Sequence, residues 1–354
     1  MGHWAAAQAL REQLADEYSD LEAEVLDFVD YAMPEVSHQV YKAFTMLMEY
    51  GSGLFNTYYK LMENTPVVHP IFEWVFVEKL VELLGDRQPA AVIVTHPFCA
   101  QVVSRYKKKT GDPLPLVTCV TDLSSHAEWM NPGTDAYLVG TNTLRDSFVH
   151  KGVPCAQICV TGIPVRAEFW STQSRREKAQ EERRLLIMGG GLGFMPQKKE
   201  FYDELNALPL VKTTIITGHN RKLYHRLAGG YENIAVVGYT DRVHDYMARS
   251  HLMLSKPGGI TLFESIFSQL PLLAWEPFLQ QEKKNMGFLI ESGIGRMAGR
   301  NPFECLSAIR GLIYQESALS EMSRRMGQMR SQLERESVRR VVMALTGIRE
   351  ACIS

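Results

Sequence analysis

The stretch Ser255-Lys256-Pro257-Gly258-Gly259-Ile260-Thr261-Leu262-Phe263-Glu264 holds the residue types and spacing that an anion site needs. The apolar run His251–Leu254 ahead of it reads as a strand, and Ile260, Phe263, Ile266 and Phe267 recur at helical spacing behind it. A glycine turn between strand and helix aims backbone N–H groups and the positive end of a helix dipole at one point, where a phosphate binds. Thr261 adds a hydroxyl donor. Glu264, one turn further on, would repel phosphate but can accept from the hydroxyls of a ribose. Gly258, Gly259, Thr261 and Glu264 are therefore candidates for a nucleoside-diphosphate site. The same residues also fit an ordinary strand-to-helix turn with a capping Thr and a solvated Glu.

Other segments carry related chemistry. Met188-Gly189-Gly190-Gly191-Leu192-Gly193 follows another strand-like run, and its glycines let backbone approach a bound group closely. Gly190 and Gly191 would face the same diphosphate from the same sheet edge. In Gly238-Tyr239-Thr240-Asp241-Arg242-Val243, Asp241 reads as the N-cap of a helix that continues through Met247. The strand Leu270–Trp275 ends in Glu276-Pro277-Phe278-Leu279-Gln280-Gln281-Glu282-Lys283-Lys284-Asn285, a polar helix start whose amides and carboxylate suit sugar hydroxyls.

From Lys256 to Asn285 the chain resembles the donor-binding half of processive diacylglycerol glycosyltransferases and monogalactosyldiacylglycerol synthases. That family shows K-P-G-G-x-T-x-x-E, a strand, then P-x-x-x-Q-E-x-x-N, and every one of those positions is filled here. The resemblance implies an inverting transfer of a hexose from a UDP-sugar to diacylglycerol. It implies Glu264 on the ribose, Gln281, Glu282 and Asn285 on the hexose, and Tyr239 and Thr240 beside the uracil. Arg166, in Gly162-Ile163-Pro164-Val165-Arg166, resembles a family element that meets the nucleotide, and a surface Arg near a linker is the alternative. Thr121-Asp122-Leu123-Ser124-Ser125-His126-Ala127-Glu128-Trp129 resembles T-D-x-x-x-H-x-x-W with one residue fewer before Trp129. Asp122 and His126 would then orient or deprotonate the acceptor hydroxyl. Gly2 and His3 match the end of the family's first glycine loop, which makes His3 the foremost candidate base. The strand that precedes that loop in the family is absent, so the chain is expected to be truncated or to carry a misplaced start. A related enzyme adding N-acetylglucosamine to a lipid-linked peptidoglycan precursor, and a non-catalytic nucleotide-sugar-binding protein, are the competing readings.

Strand-like and helix-like segments alternate, which predicts an α/β fold of two Rossmann-like doubly wound domains facing a cleft; the resemblance names this the GT-B glycosyltransferase type. The expected strands are Ala23–Phe28, Ala91–Thr95, Leu116–Thr121, Ala136–Val139 and Gln157–Val160, then Arg184–Met188, Lys212–Thr217, Asn233–Val237, His251–Leu254 and Leu270–Trp275. The expected domains are 1–168 on the acceptor side, a polar linker 169–183, the donor domain 184–335, and a helix 336–354 returning to the first domain. Residues 38–84 are rich in apolar and aromatic side chains (Val40, Tyr41, Phe44, Met46, Leu47, Leu54, Phe55, Tyr58, Tyr59, Leu61, Trp74), which fit either core helices or a bilayer interface.

Bulk properties narrow the class. With 354 residues and 45% hydrophobic content, the chain can build two real cores. A net charge of −2 gives no global footprint for nucleic acid. Residues 1–170 balance at −9 and 171–354 at +7, which suits an anionic ligand in the second half or simply solvated surface charge. Six scattered cysteines show no zinc spacing and fit buried thiols in a reducing compartment. No metal and no cofactor beyond the UDP-sugar donor is expected. The expected setting is cytoplasmic, with peripheral contact to the membrane surface, and the oligomeric state is left open.

Overall fold

The computed structural model describes residues 2–15, 21–39, 41–42, 56–57, 60, 62–63, 73–171, 182–190, 195–196, 198–277 and 279–347. The chain forms two compact units. One comprises Gly2–Ala167, Leu279–Gln281 and Leu333–Ser354; the other comprises Glu168–Phe278 and Glu282–Gln332. Gly191, the predicted linker from 172 to 181, and most of the aromatic segment 38–84 (Val40, Phe44, Met46, Leu47, Leu54, Phe55, Tyr58, Tyr59 and Leu61 among it) lie outside the described residues.

The N-terminal unit contains α1 (Gly2–Leu14), α2 (Phe28–Ala32), α3 (Glu73–Arg87), β1 (Val92–Val94), α4 (Pro97–Thr110), β2 (Leu116–Cys119), β3 (Ala136–Val139), α5 (Asn142–His150) and β4 (Ile158–Val160). Its strands pair in parallel in the order β1-β2-β3-β4, with Val94 opposite Thr118 and Cys119 opposite Leu138. Helices cover both faces, so β2 and β3 are buried at every residue. Val117, Cys119 and Leu138 pack with Leu10 and Leu14 of α1. Leu116 joins Phe76, Leu80 and Val103 of α3 and α4, while Tyr137 and Val139 pack with Trp129 and Phe148. The helices start where their caps dictate. His96 accepts from the Phe98 N–H to open α4, and Thr141 accepts from the Leu144 N–H to open α5. Lys107, Lys108 and Lys109 close α4 before Gly111, whose φ of 74° is the left-handed cap.

The expected strand Ala23–Phe28 is a correction: this segment forms no ladder. Its side chains do alternate between half-buried and exposed, and Leu21 and Ala23 pack onto the core beneath α1. The period of two is therefore real, but it reflects an extended segment laid on apolar surface. Asp27 then ends it, because its carboxylate accepts from the Val29 and Asp30 N–H groups and nucleates α2.

After α6 (Ala167–Ser171), the C-terminal unit runs β5 (Arg183–Met188), α7 (Lys199–Asn206), β6 (Val211–Ile216), α8 (Arg221–Leu227), β7 (Ile234–Val237), α9 (Val243–Arg249), β8 (Leu252–Ser255), α10 (Gly259–Phe267), β9 (Leu272–Ala274), α11 (Gln280–Glu291), β10 (Gly295–Met297), α12 (Pro302–Ile313) and α13 (Glu316–Arg330). All strands are parallel, in the order β10-β9-β8-β5-β6-β7. The chain reverses direction across the sheet between β5 and β8, and ligands of open parallel sheets bind at the strand carboxyl ends of such a switch point. The last helix, α14 (Ser337–Thr346), belongs to the first unit, where Val338 and Val342 join Leu10 and Leu14.

Strand β10 was not anticipated, since three residues give too short a pattern. Gly295 makes it possible: a Cβ there would lie 2.2 Å from the Leu272 carbonyl oxygen, which is backbone and cannot turn aside. Gly295→Ala should lower unfolding stability by about 1–3 kcal/mol through overpacking. Urea unfolding checks this; an unchanged midpoint would show that the β9–β10 edge yields without cost.

Candidate functional site

In the C-terminal unit, the glycine turns follow β5 and β8, which are hydrogen-bonded neighbours in the sheet. Ser255, the last residue of β8, donates through Oγ to the Met188 carbonyl at the end of β5, 3.0 Å away. This buried bond fixes the two turns side by side. Gly190 sits at φ 69°, a left-handed conformation that other residues adopt at a cost. Gly258 is different: its φ of −70° suits any residue, and a Cβ there would meet only Thr261 Oγ1, at 4.0 Å. Neither backbone nor packing demands glycine at 258, so the missing side chain leaves room for something outside the chain. As the N-cap of α10, Gly258 also brings no side-chain acceptor. The first N–H groups of a nine-residue helix are thus left to an external partner.

Polar residues surround that turn. Asn285 on α11 is 2% exposed, and its Nδ2 donates to the Pro257 carbonyl at 2.9 Å. That amide braces the glycine turn from behind. Glu282, one turn earlier on α11, is half-buried; burial raises its pKa and the Lys256 charge opposes the rise. Thr261 and Glu264 lie half-buried on the first turns of α10. The side chain of Gln281 lies outside the described residues. Past β7, Tyr239 is 68% exposed, and Thr240 Oγ1 accepts from the Arg242 N–H at 3.1 Å. The expected N-cap at Asp241 is corrected: α9 starts one residue later, with Arg242 at the cap position and its guanidinium on Asp245. The Thr240 turn supplies the local hydrogen bond that an Asp241 cap would have made.

The N-terminal unit gathers a second set of candidates at the carboxyl ends of β1 and β2. His3, on the first turn of α1, donates from Nδ1 to the Thr95 carbonyl at 2.7 Å, and Thr121 Oγ1 lies 2.9 Å from the same nitrogen. Since a carbonyl only accepts, the neutral ring carries its proton on Nδ1 and turns a lone pair out at Nε2. Burial lowers the His3 pKa to about 4, against the Thr95 hydrogen bond, so the ring is neutral at physiological pH. His96, which the sequence reading did not single out, lies edge-on to His3 with ring centroids 4.5 Å apart. Its Nδ1 accepts from the Phe98 N–H, 3.1 Å away. Surrounding protein atoms lower its pKa first, and the neighbouring His3 adds to the drop.

Asp122 follows β2 and accepts the Ser124 N–H at 2.9 Å. Burial pushes its pKa up to about 6, against the Ser124 bond and the nearby Trp129 indole, whose N–H makes no hydrogen bond of normal geometry. Glu128, also not foreseen, rises to about 7 through burial and the charge of Asp122. Buried His126 caps a short 3-10 helix, Ala127–Trp129, by accepting the Glu128 N–H at Nδ1. Trp129 reaches to 6.4 Å from the His3 ring, ring centre to ring centre, despite the shortened spacing. Arg166 lies in this same unit, half-buried, just after β4. Among the described residues, no group of three His, Cys, Asp or Glu side chains is placed to hold a metal ion.

Comparison with known proteins fits both halves. The family model described as monogalactosyldiacylglycerol (MGDG) synthase matches residues 3–165, the segment from His3 to just before Arg166. Among curated proteins, the chain is 26% identical over 91% of its length to a processive diacylglycerol beta-glucosyltransferase of Bacillus subtilis, covering 87% of that protein. It is 29% identical over 72% of its length to the same-named protein of Staphylococcus carnosus, covering 67% of it. The chain is thus similar to the diacylglycerol glycosyltransferase and MGDG synthase family over most of its length. Its fold is the GT-B type. Solved structures agree: MurG of Acinetobacter baumannii superposes with a TM-score of 0.59 at 14% identity, covering 80% of this chain and 82% of that one. The calicheamicin glycosyltransferase CalG4 gives 0.56 at 16% identity, over 78% and 80%.

The Asp122–Glu128 pair makes a pH prediction. A carboxyl whose folded pKa is raised stabilises the fold fully below its unfolded pKa and loses that contribution as pH rises through the folded value. For Glu128 the window runs from the ordinary value of 4.5 to about 7. Glu128→Gln removes the loss, so relative to the parent it should gain about 1–3 kcal/mol between pH 4.5 and 7.5. Urea midpoints at the two pH values test this; a constant difference would mean that Glu128 is not buried against Asp122.

Proposed function

We propose that the chain is an inverting glycosyltransferase that moves a hexose from a UDP-sugar to the hydroxyl of diacylglycerol. The observation that carries the donor half is the uncapped first turn of α10, joined to the β5 glycine turn by the Ser255–Met188 bond. Its N–H groups, with Gly259 and Thr261, would meet the charge that develops on the β-phosphate as the glycosidic C–O bond breaks. Glu264 would hold the ribose, Gln281 and Glu282 the hexose, and Asn285 the turn itself. Arg166 would offer its guanidinium fork to the nucleotide.

The acceptor half rests on His3. Its Nδ1–H is engaged by Thr95 and Thr121, leaving Nε2 to take the proton from the diacylglycerol hydroxyl as that oxygen attacks the anomeric carbon opposite the leaving UDP. One-step displacement inverts that carbon. Burial makes the resting His3 a weak base, so proton transfer must accompany the attack, when the hydroxyl is becoming acidic. A second assignment makes Asp122 the base, favoured by its pKa of about 6, nearer the operating pH. Diacylglycerol resides in a bilayer, and no helix among the described residues is long and apolar enough to cross one. Surface attachment on the cytoplasmic side is the corresponding proposal, with Trp4 and Trp74 of the N-terminal unit, 46% and 64% exposed, as amphipathic contacts.

Diacylglycerol liposomes offered UDP-glucose or UDP-galactose in parallel should yield glycolipid from one donor. No product from either, with UDP still bound, would overturn the acceptor. Replacing the true base, by His3→Gln or Asp122→Asn, should cut kcat about 10²–10⁴-fold with UDP affinity unchanged. Equal and small losses in both variants would remove both assignments. Glu264→Ala should weaken UDP binding about 10-fold, the loss of a charged hydrogen-bond acceptor, as calorimetry reads it.

A further inference from the structure

Two neighbouring residues, Thr95 and His96, place two imidazole rings at the end of β1. Thr95 holds His3 twice: its carbonyl accepts the Nδ1 proton at 2.7 Å, and its Oγ1 donates to the His3 carbonyl at 3.0 Å. His96 is itself held twice by the start of α4. Its carbonyl accepts from the Ala100 N–H at 3.2 Å, and its Nδ1 accepts from the Phe98 N–H at 3.1 Å. Pro97 has no N–H, so Phe98 is the first donor that α4 presents to its cap. Both rings are thereby fixed in rotation, with centres 4.5 Å apart and planes at 65°. Capping alone does not call for histidine, since Ser, Thr, Asp or Asn performs it. What histidine adds is a second nitrogen on the far side of the ring.

The same hydrogen bonds fix where each proton sits. His3 gives its Nδ1 proton to a carbonyl, so its Nε2 is a bare acceptor. The His96 Nδ1 receives a backbone proton, so a neutral His96 carries its own on Nε2. Both rings are neutral at physiological pH, because surrounding protein lowers the pKa of His3 to about 4 and that of His96 to about 3. His3 is half-buried and His96 reaches solvent, so the pair lines a recess rather than a core. Among the described residues, nothing bonds either Nε2. Two uncharged rings of one kind thus offer opposite chemistry side by side, an acceptor on His3 and a donor on His96. We propose that His96 orients the acceptor: its Nε2–H donates to the ester that diacylglycerol carries on the carbon next to its free hydroxyl, while that hydroxyl rests on His3 Nε2. The site then selects alcohols with an oxygen on the adjacent carbon. This rests on the reading of His3 as the base and adds a second group that touches the acceptor. His96 keeps its proton throughout; it holds the alcohol in place while His3 takes the hydroxyl proton.

Acceptor kinetics on the full chain test it, with diacylglycerol and an analogue whose ester beside the carbinol is replaced by an alkyl chain, both in mixed micelles. One hydrogen bond predicts a parent KM about 3–10-fold lower for diacylglycerol than for the analogue. His96→Ser still caps α4 and should erase that difference by raising KM for diacylglycerol alone, with kcat held within about 2-fold. His96→Asn, which can cap through Oδ1 and donate through Nδ2, should recover part of the preference. Equal losses on both acceptors would make His96 a cap and nothing more, and a parent that does not tell the two acceptors apart would overturn the selection. Proton–nitrogen correlation spectra of the histidine rings need no turnover. They should place the proton on Nδ1 of His3 and on Nε2 of His96; a His96 proton on Nδ1 would overturn the proposal. If His3→Gln kept the parent kcat, His3 would fall as the base, and the KM ratio would still decide His96. Glycosylation of neither acceptor by the parent would overturn both.

Discussion

Helix α10 begins on a residue that cannot satisfy it. A helix start leaves backbone donors that side chains, water or a ligand must meet, and Gly258 brings no side chain to the task. Much of the C-terminal unit is organised around that unmet demand. Ser255 ties the end of β8 to β5, Asn285 holds the Pro257 carbonyl, and the strand order reverses at this point. Each device fixes backbone rather than side chain. A site made of main-chain donors keeps its charge at every pH and moves little on binding, so it arrives prepared for an anion.

The N-terminal unit works by the opposite means. Its candidate groups are side chains, and removal of water governs their state. Burial depresses the imidazole of His3 and raises the carboxyls of Asp122 and Glu128, so each is pushed toward its uncharged form. The result is a set of acid–base groups that carries little charge and is compatible with an apolar acceptor. In the proposed reaction, one unit would supply fixed partial charges and the other protons that can be exchanged.

The glycine turns were legible because their chemistry is local: strand, turn, Thr and Glu fall within ten residues. The parallel strands of both sheets were legible because helices bury both faces and leave continuous apolar runs. The misreadings have physical causes. Leu21–Asp27 has a strand's alternation without a strand's partner, and nothing in a single segment reports on pairing. Asp241 is a good capping residue, but Thr240 one place earlier bonded the turn first. Nothing local singles out His96; its place beside His3 comes from the packing of α1 against the sheet, which sets His3 on the Thr95 carbonyl 92 residues away. Glu128 was passed over because its titration depends on Asp122, a neighbour created by the 3-10 turn.

Helices α1 and α14 meet in one core, where Leu10 and Leu14 pack with Val338 and Val342. A ribosome makes α1 well before α14, with the whole C-terminal unit between them. The sheet beneath α1 therefore cannot bury its full apolar surface until α14 has emerged, although its own strands were made long before. The C-terminal unit, by contrast, has all its described strands once β10 is out. The unit between α1 and α14 is thus expected to settle first, and the core around α1 waits for α14.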